Sequence, residues 1–217
     1  MVNIKLCGLR EPDHMKYAWE LGIKYVGVVF FNRSPRFVTI EDAKPLLNNA
    51  PERLIKVGLV VDPDDEMVKL VSSLNLDMLQ LHGSETLERV REIRSASGLS
   101  IIKAIGVRVK EDLKNTSKYA EVADQILIDA KPTLNSELPG GNGVQFNWDL
   151  IKDASWDFPW FLAGGLNENN LLGALRKTNA KQVDLSSGVE DENGRKNVKK
   201  IVKFVQKVKE YEECQID

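Results

Sequence analysis

Several reactive or polar side chains of this 217-residue chain stand where short apolar runs end. Cys7 closes the first run, His82 and Asp129 close later ones, and Ser186 follows the last. A thiol and a carboxylate that face the same small molecule can act on it as a base and an acid. The pattern therefore predicts proton-transfer chemistry, provided that the fold brings the ends of these runs together.

Cys7 taken alone has a second interpretation, because a cysteine that ends an apolar run is often a small buried hydrophobic residue. Lys5 lies two residues before Cys7 and points to the same face of a strand. Asp184 lies on the run that would neighbour the first one in a closed barrel. Since a lone buried charge is costly, we expect an ion pair between Lys5 and Asp184.

Asp129 closes the run Gln-Ile-Leu-Ile-Asp. A carboxylate at such a position is costly to bury unless it is paired or protonated. It could serve as a general acid, and it could equally cap a helix or pair with Lys131. His82 also has two interpretations, either a substrate contact or a hydrogen-bonded histidine at the end of its strand. We count His82 and Asp184 among the expected substrate-binding residues.

Two short segments predict a phosphate site. Gly164-Gly165 follows the seventh predicted strand in a segment, Ala163-Gly164-Gly165-Leu166-Asn167, that we expect to open a helix, and Ser186-Ser187-Gly188 follows the eighth. Glycines let backbone N–H groups approach an anion, and barrels commonly hold phosphate in the loops after strands seven and eight. Gly141 and Gly143 lie in a long loop that could cover the same ligand. The alternative is that these are ordinary turn glycines.

The segment 32–37 carries two arginines, Arg33 and Arg36. A guanidinium group is planar and matches a carboxylate or a phosphate with two parallel hydrogen bonds. Its position in a polar loop is also compatible with simple exposure to solvent. No metal or cofactor is predicted, because the two histidines have no ligand-spaced neighbours and no nucleotide-binding fingerprint occurs.

The elements that must position these residues alternate between β-rich runs and helical periods, which favours parallel strands joined by helices. Eight runs at this spacing predict one α/β domain over residues 1–217, a single (β/α)8 TIM barrel. An open doubly wound sheet is the rival, but the first turn reads Cys-Gly-Leu-Arg instead of G-x-G-x-x-G. The predicted strands are Asn3–Leu6, Tyr25–Phe30, Leu54–Val61, Met78–Leu81, Ile101–Ile105, Gln125–Ile128, Trp160–Ala163 and Gln182–Leu185.

Capping residues predict where three helices begin: Thr39 for one, Asp62-Pro63 for the next and Ser84 for a third. The last helix shows the clearest apolar stripe, with lysines on its other faces. The residues of that stripe are Val198, Ile201, Val202, Val205 and Val208.

Composition limits the classes of partner. The chain has 42% hydrophobic and 29% charged residues and a formal net charge of -2, so no global field draws it to nucleic acid or membrane. No apolar run reaches the ~20 residues of a membrane span. Cys7 and Cys214 are the only cysteines, and the sequence shows no signal region, which favours a reducing cytoplasm. The expected partner is a small phosphorylated molecule, and a homodimer stays open.

The motifs as a set resemble phosphoribosylanthranilate isomerase of tryptophan biosynthesis. They run in order through nearly the whole chain and are Lys5-Leu6-Cys7-Gly8, Ser34-Pro35-Arg36, Gln80-Leu81-His82-Gly83, the Asp129 strand, Gly140-Gly141-Asn142-Gly143, Ala163-Gly164-Gly165-Leu166-Asn167 and Val183-Asp184-Leu185-Ser186-Ser187-Gly188-Val189-Glu190. The resemblance implies an Amadori rearrangement without cofactor or metal.

The resemblance also implies residue roles. Cys7 matches the family's general base, Asp129 its general acid, and Arg36 the residue that holds the anthranilate carboxylate. The two glycine segments, with Gly141 and Gly143, match its phosphate site. The chain departs from the family at Asn142, at Asn147 and in the segment after Glu190. Two other functions stay open, namely the indole-forming lyase of the same pathway and a barrel that binds a phosphorylated metabolite without converting it.

Overall fold

The computed structural model describes residues 1–131 and 145–215. Eight parallel strands close into a barrel in which each strand pairs with the next and the last with the first. This confirms the predicted (β/α)8 architecture. The strands are β1 (Asn3–Cys7), β2 (Tyr25–Val29), β3 (Ile55–Val60), β4 (Met78–Leu81), β5 (Ser100–Val107), β6 (Gln125–Ala130), β7 (Trp160–Leu162) and β8 (Gln182–Leu185).

Helices surround the barrel on the outside. Within the described residues these are α1 (Pro12–Glu20), α2 (Ile40–Asn48), α3 (Asp65–Ser72), α4 (Leu87–Ser97), α5 (Thr116–Ala120), α6 (Leu171–Thr178) and α7 (Val198–Glu213), with 3-10 turns at Lys110–Leu113, Trp148–Leu150 and Ser187–Val189. The larger hydrophobic core lies between this ring of helices and the strands. No helix in the described part of the chain is long and apolar enough to span a membrane.

A second, smaller core fills the interior of the barrel. Tyr25 and Phe161 meet there edge to face, with their ring centroids 5.1 Å apart. Because the strands are all parallel, residues that alternate inward along each strand form layers across the barrel. The interior cluster consists of Tyr25, Val57, Met78, Ile102, Ala104, Leu127, Phe161 and Ala163. This layer closes the barrel beneath the residues at its C-terminal mouth.

One of the three predicted helix starts is confirmed and two are wrong. The Thr39 side chain accepts a hydrogen bond from the backbone N–H of Asp42 at the start of α2. Asp64, not Asp62, caps α3, and Thr86, not Ser84, caps α4. The reason is a contact between loops, since the Asp62 carboxylate accepts the backbone N–H of Ser84 at 2.7 Å.

The apolar face of α7 is confirmed, although it is rotated slightly from the prediction. Its buried residues are Ile201, Phe204, Val205, Val208 and Tyr211, while Val202 is half-buried. Phe204 therefore takes the central place on the face that packs against the barrel. The helix begins at Val198, where the Asn197 side chain accepts a hydrogen bond from the backbone N–H of Lys200.

Candidate active site

Cys7 is the last residue of β1 and is buried. Its neighbour across the strand pairing is Gly27 on β2. A Cβ atom at position 27 would lie 2.9 Å from the Cys7 sulfur and 3.2 Å from its Cα, so only glycine leaves room for the thiol. Burial raises the pKa of the Cys7 thiol above its ordinary value, although the positive charges of Lys5 and Lys196 act in the opposite direction.

Lys5 lies one layer below Cys7 and is completely buried. Its Nζ donates to Asp184 Oδ1 at 2.8 Å, and the two residues are paired in the register of β1 and β8. Burial alone would lower the pKa of Lys5, but the attraction of Asp184 together with that of Cys7 outweighs it, and the pKa is raised. The predicted ion pair is therefore confirmed, and it keeps a positive charge close to the thiol.

Asp129 is a buried residue near the end of β6, and His82 directly follows β4. The His82 Nε2 atom lies 3.3 Å from Asp129 Oδ2, and its Nδ1 atom lies 2.9 Å from Gln80 Nε2. If the Gln80 amide donates to Nδ1, the proton of a neutral imidazole lies on Nε2 and points at the carboxylate. The alternative pairing of Asp129 with Lys131 is wrong, because Lys131 binds Asp112 at 2.7 Å.

Arg36 is buried at the end of the loop after β2, although Arg33 in the same loop is exposed. Its Nε and Nη2 atoms each donate to one carboxylate oxygen of Glu190 at 2.7 Å. Gly8 makes this position possible, since a Cβ there would lie 2.5 Å from Arg36 Cδ and the Gly8 φ of +80° is unfavourable for other residues. Glu190 thus binds the edge of the Arg36 guanidinium that carries Nε and Nη2.

Glu190 has a second cation beside it. Lys196 Nζ donates to Glu190 Oε1 at 2.6 Å and to the carbonyl and hydroxyl oxygens of Ser186 at 3.0 and 3.1 Å. Burial opposes ionisation of Glu190, but Arg36 and Lys196 hold its pKa below the ordinary value. Burial also lowers the pKa of Lys196, to about 8, despite the attraction of Glu190.

The two glycine segments lie against each other above β7 and β8. Gly164 and Gly165 both have positive φ angles, +89° and +63°. A Cβ on Gly188 would lie only 1.9 Å from the carbonyl oxygen of Leu166, so this glycine allows the two loops to touch. The helix after the first segment begins at Leu171, after a further turn. The sequence interpretation, which placed the helix start next to the glycines, was wrong in this detail.

The remaining predicted residues have different outcomes. The Ser186 hydroxyl donates to the Cys7 carbonyl at 3.0 Å, and Ser187 begins the 3-10 turn that contains Gly188. Gly141 and Gly143 lie outside the described residues. Within residues 1–131 and 145–215, no group of three or more His, Cys, Asp or Glu side chains could hold a metal ion.

Sequence reasoning missed several residues at this mouth of the barrel. Gly27, Gln80 and Lys196 were given no role, and Glu190 entered only as the end of a motif. For Lys196 a weak signal existed, since it lies in the segment after Glu190 that departs from the family pattern. For Gln80 the strand parity with His82 was the available signal, whereas the pairing of Gly27 with Cys7 depends on the register between β1 and β2.

The arrangement as a whole is that of a (β/α)8-barrel enzyme, with titratable side chains from several strands gathered at the C-terminal mouth. Residues 4–207 match the model of the N-(5'-phosphoribosyl)anthranilate (PRA) isomerase family. The chain belongs to this family.

Individual relatives agree with the family match. The chain is 48% identical over 206 residues to the N-(5'-phosphoribosyl)anthranilate isomerase of Cereibacter sphaeroides, covering 94% of this chain and 97% of the relative. It is 32% identical, with a TM-score of 0.81, to a monomeric form of the dimeric phosphoribosylanthranilate isomerase of Thermotoga maritima, covering 97% of this chain and 100% of the other.

A further solved isomerase contains a ligand, reduced 1-(o-carboxyphenylamino)-1-deoxyribulose 5-phosphate. It is 31% identical to this chain with a TM-score of 0.81, and the match covers 97% of this chain and 100% of that one.

Proposed function

We propose that Cys7 and Asp129 are the base and the acid of the isomerisation that defines this family. The enzyme converts N-(5'-phosphoribosyl)anthranilate into 1-(2-carboxyphenylamino)-1-deoxyribulose 5-phosphate, a step of tryptophan biosynthesis. The observation that carries the assignment is that both side chains lie at the C-terminal ends of their strands, at the same mouth of the closed barrel.

The first step opens the sugar ring. A protonated Asp129 gives its proton to the ring oxygen of the ribose while the bond from that oxygen to C1' breaks. The lone pair of the anthranilate nitrogen forms a C=N bond at the same carbon, which produces an iminium ion. His82, whose Nε2 lies 3.3 Å from the carboxyl, orients this group.

The second step moves a proton away from C2'. The iminium makes the C2' hydrogen acidic, and the Cys7 thiolate removes it to give an enolamine. The Cys7 thiol then gives its proton to C1', and the proton of the C2' hydroxyl passes to the Asp129 carboxylate, so that the ketone forms and both catalytic groups recover their starting forms. Although burial raises the pKa of Cys7, the cations Lys5 and Lys196 and the charge of the iminium favour the thiolate at this moment.

The two ends of the substrate are bound by different loops. Arg36 receives the anthranilate carboxylate on the edge of its guanidinium that faces away from Glu190. The loops at Gly164-Gly165 and Ser186-Ser187-Gly188 bind the phosphate through backbone N–H groups, and Gly141 and Gly143 complete this site. Asp184, whose Oδ1 is paired with Lys5, contacts a sugar hydroxyl through its other oxygen.

Broader statements on domain, location and partners accompany this proposal. Residues 1–217 form one domain. The protein works in the cytoplasm, which agrees with the two free cysteines. It acts on a small phosphorylated molecule and needs no metal, and a homodimer is supported by the dimeric Thermotoga maritima relative.

The test is a fluorescence assay that follows the loss of N-(5'-phosphoribosyl)anthranilate. We expect Cys7→Ala and Asp129→Asn each to lower kcat by at least about 100-fold while the variants stay folded. Cys214→Ala is the matched control, because this second thiol is exposed and far along the chain from the barrel strands. Near-normal turnover in both site variants would refute the assigned roles.

A further inference from the structure

Lys196 is a buried lysine whose bonds join two parts of the site. Only 7% of its surface is exposed. Its ammonium group has three protons and three acceptors within reach, which are Glu190 Oε1 at 2.6 Å and the two oxygens of Ser186 at 3.0 and 3.1 Å. It therefore contacts both the carboxylate that holds Arg36 and the first residue of a phosphate-binding segment.

Glu190 fixes the orientation of Arg36. Because its two oxygens bind Nε and Nη2, the guanidinium lies side-on to this carboxylate. Within the described residues, no acceptor binds Nη1 or the second proton of Nη2. These donors form the outer edge of the guanidinium and match a second carboxylate arriving end-on.

The charges of Arg36, Glu190 and Lys196 decide whether the outer edge of the Arg36 guanidinium can attract an anion. Arg36 and Glu190 alone form a neutral pair, since both carboxylate oxygens are used by the guanidinium. Lys196 adds a second positive charge beside the same carboxylate. The group of Arg36, Glu190 and Lys196 therefore carries one net positive charge in a buried place, where electrostatic attraction is weakly screened.

We propose that Glu190 and Lys196 are positioning residues for the aromatic carboxylate of the substrate. Glu190 aims the free edge of Arg36, and Lys196 compensates Glu190 so that one net positive charge remains for the ligand. This proposal rests on the proposed function, because it assumes that Arg36 receives that carboxylate. The titratable or charged groups facing Lys196 are Glu190, Arg36 and Cys7.

The test compares two ligands in equilibrium titrations. One is reduced 1-(o-carboxyphenylamino)-1-deoxyribulose 5-phosphate, and the other is the same reduced compound without its carboxyl group. We expect Lys196→Met to weaken the first by about 10- to 100-fold and the second by less than about threefold. The double variant Glu190→Gln with Lys196→Met restores the one net positive charge, and we expect its affinity for the first ligand to lie within about threefold of wild type.

Lys200→Met is the matched control. Lys200 is exposed and donates to the main-chain carbonyl of Glu190 at 2.6 Å, so its removal leaves the carboxylate untouched. We expect this variant to bind both ligands like wild type.

Several outcomes would overturn the inference. Equal weakening of both ligands by Lys196→Met would show that Lys196 acts only through the Ser186 loop. A double variant that binds the carboxylate ligand no better than Lys196→Met would exclude charge compensation. If Lys196→Met does not fold, the double variant alone decides. A tenfold loss, relative to wild type, of its preference for the carboxylate ligand over the ligand without a carboxyl group would likewise exclude charge compensation. Failure of the wild type to bind either ligand would instead refute the proposed function.

Discussion

The Nε2 atom of His82 lies 3.3 Å from Oδ2 of Asp129, although 47 residues separate them in the chain. Their strands, β4 and β6, are not neighbours, so the contact crosses the mouth of the barrel. The other ring nitrogen is bound to Gln80, which is fully buried and whose Oε1 has no partner among the described residues. The imidazole is therefore held between an amide and the proposed acid.

We predict that His82→Asn lowers kcat by about tenfold, and less than Asp129→Asn does. Asp129 keeps its carboxyl in this variant but loses the group that orients it. Steady-state kinetics on both variants and on their combination provide the measurement. Because His82 acts through the Asp129 carboxyl, we expect the combined loss to be close to that of Asp129→Asn alone. If the loss of kcat in the double variant equals the product of the two single losses, His82 acts independently of Asp129.

Arg36→Ala is expected to lower kcat/KM by about 100-fold or more, mainly through KM, because the substrate carboxylate loses its partner. Arg36→Lys is expected to recover only part of this loss, since a lysine cannot bind Glu190 and the substrate with a planar fork. Arg33→Ala is the control from the same loop, where the exposed guanidinium lies 5.8 Å from the Phe31 ring centroid. A kcat/KM in Arg36→Ala equal to wild type would remove its carboxylate role.

Gly188→Ala is expected to raise KM at least about tenfold and to weaken inhibition by inorganic phosphate. The added methyl group would overlap the carbonyl oxygen of Leu166 at 1.9 Å, so the two loops of the phosphate site must separate. Gly173→Ala is the matched control in α6, where a Cβ meets nothing within 4 Å. That change is expected to leave kinetics unaltered and to stabilise the helix by up to about 1 kcal/mol. Unchanged phosphate inhibition in Gly188→Ala would exclude this loop as the phosphate site.

The residual turnover of Asp129→Asn is expected to rise with pH from about pH 6 to 8, by up to tenfold per unit, because this variant depends on the thiolate without a competing loss of the acid's proton. Burial raises the pKa of Cys7, so the thiolate is the minor form at neutral pH and its fraction grows as protons are withdrawn. Above the Lys196 pKa of about 8, the lysine loses its proton and the group around Arg36 becomes neutral, so KM is expected to rise. Profiles of kcat for Asp129→Asn and of KM for the wild type between pH 6 and 10 test both statements. A kcat of Asp129→Asn that is independent of pH below 8 would argue against a thiolate base.

The same profile distinguishes the two lysines near the thiol. Lys5 is paired with Asp184 and its pKa is raised, so it keeps its charge throughout this range. We expect Lys196→Met to have a high KM that no longer changes above pH 8. A rise in KM that persists in this variant would assign the titration to another group.

The barrel could be predicted from the sequence because its eight runs are regular and strongly apolar. The strand ends were less accurate: β1 includes Cys7, and β5 extends from Ser100 to Val107 instead of ending at Ile105. Strand length depends on hydrogen bonds to both neighbours, and those neighbours are distant in the chain. The helix starts at Asp62 and Ser84 failed for the same reason, because a contact between two loops uses the polar groups that local rules assign to caps.

The proposed catalytic residues could be found because strand parity places Cys7 and Asp129 inward and strand direction places them at one mouth. The surrounding network could not be found in this way. Arg36 and Glu190 are 154 residues apart, and their pairing depends on the closure of the barrel between β1 and β8. No local pattern marks Glu190 as the partner of an arginine in the second loop, so its role emerges only from the structure.

The absence of a side chain at Gly27 matters for the design of a similar site in another barrel. The Cys7 sulfur occupies the volume that a methyl group at position 27 would fill, so a cysteine introduced at the position of Cys7 alone would clash with the side chain on the adjacent strand. A design must therefore include both paired positions, a cysteine on one strand and a glycine opposite it on the next.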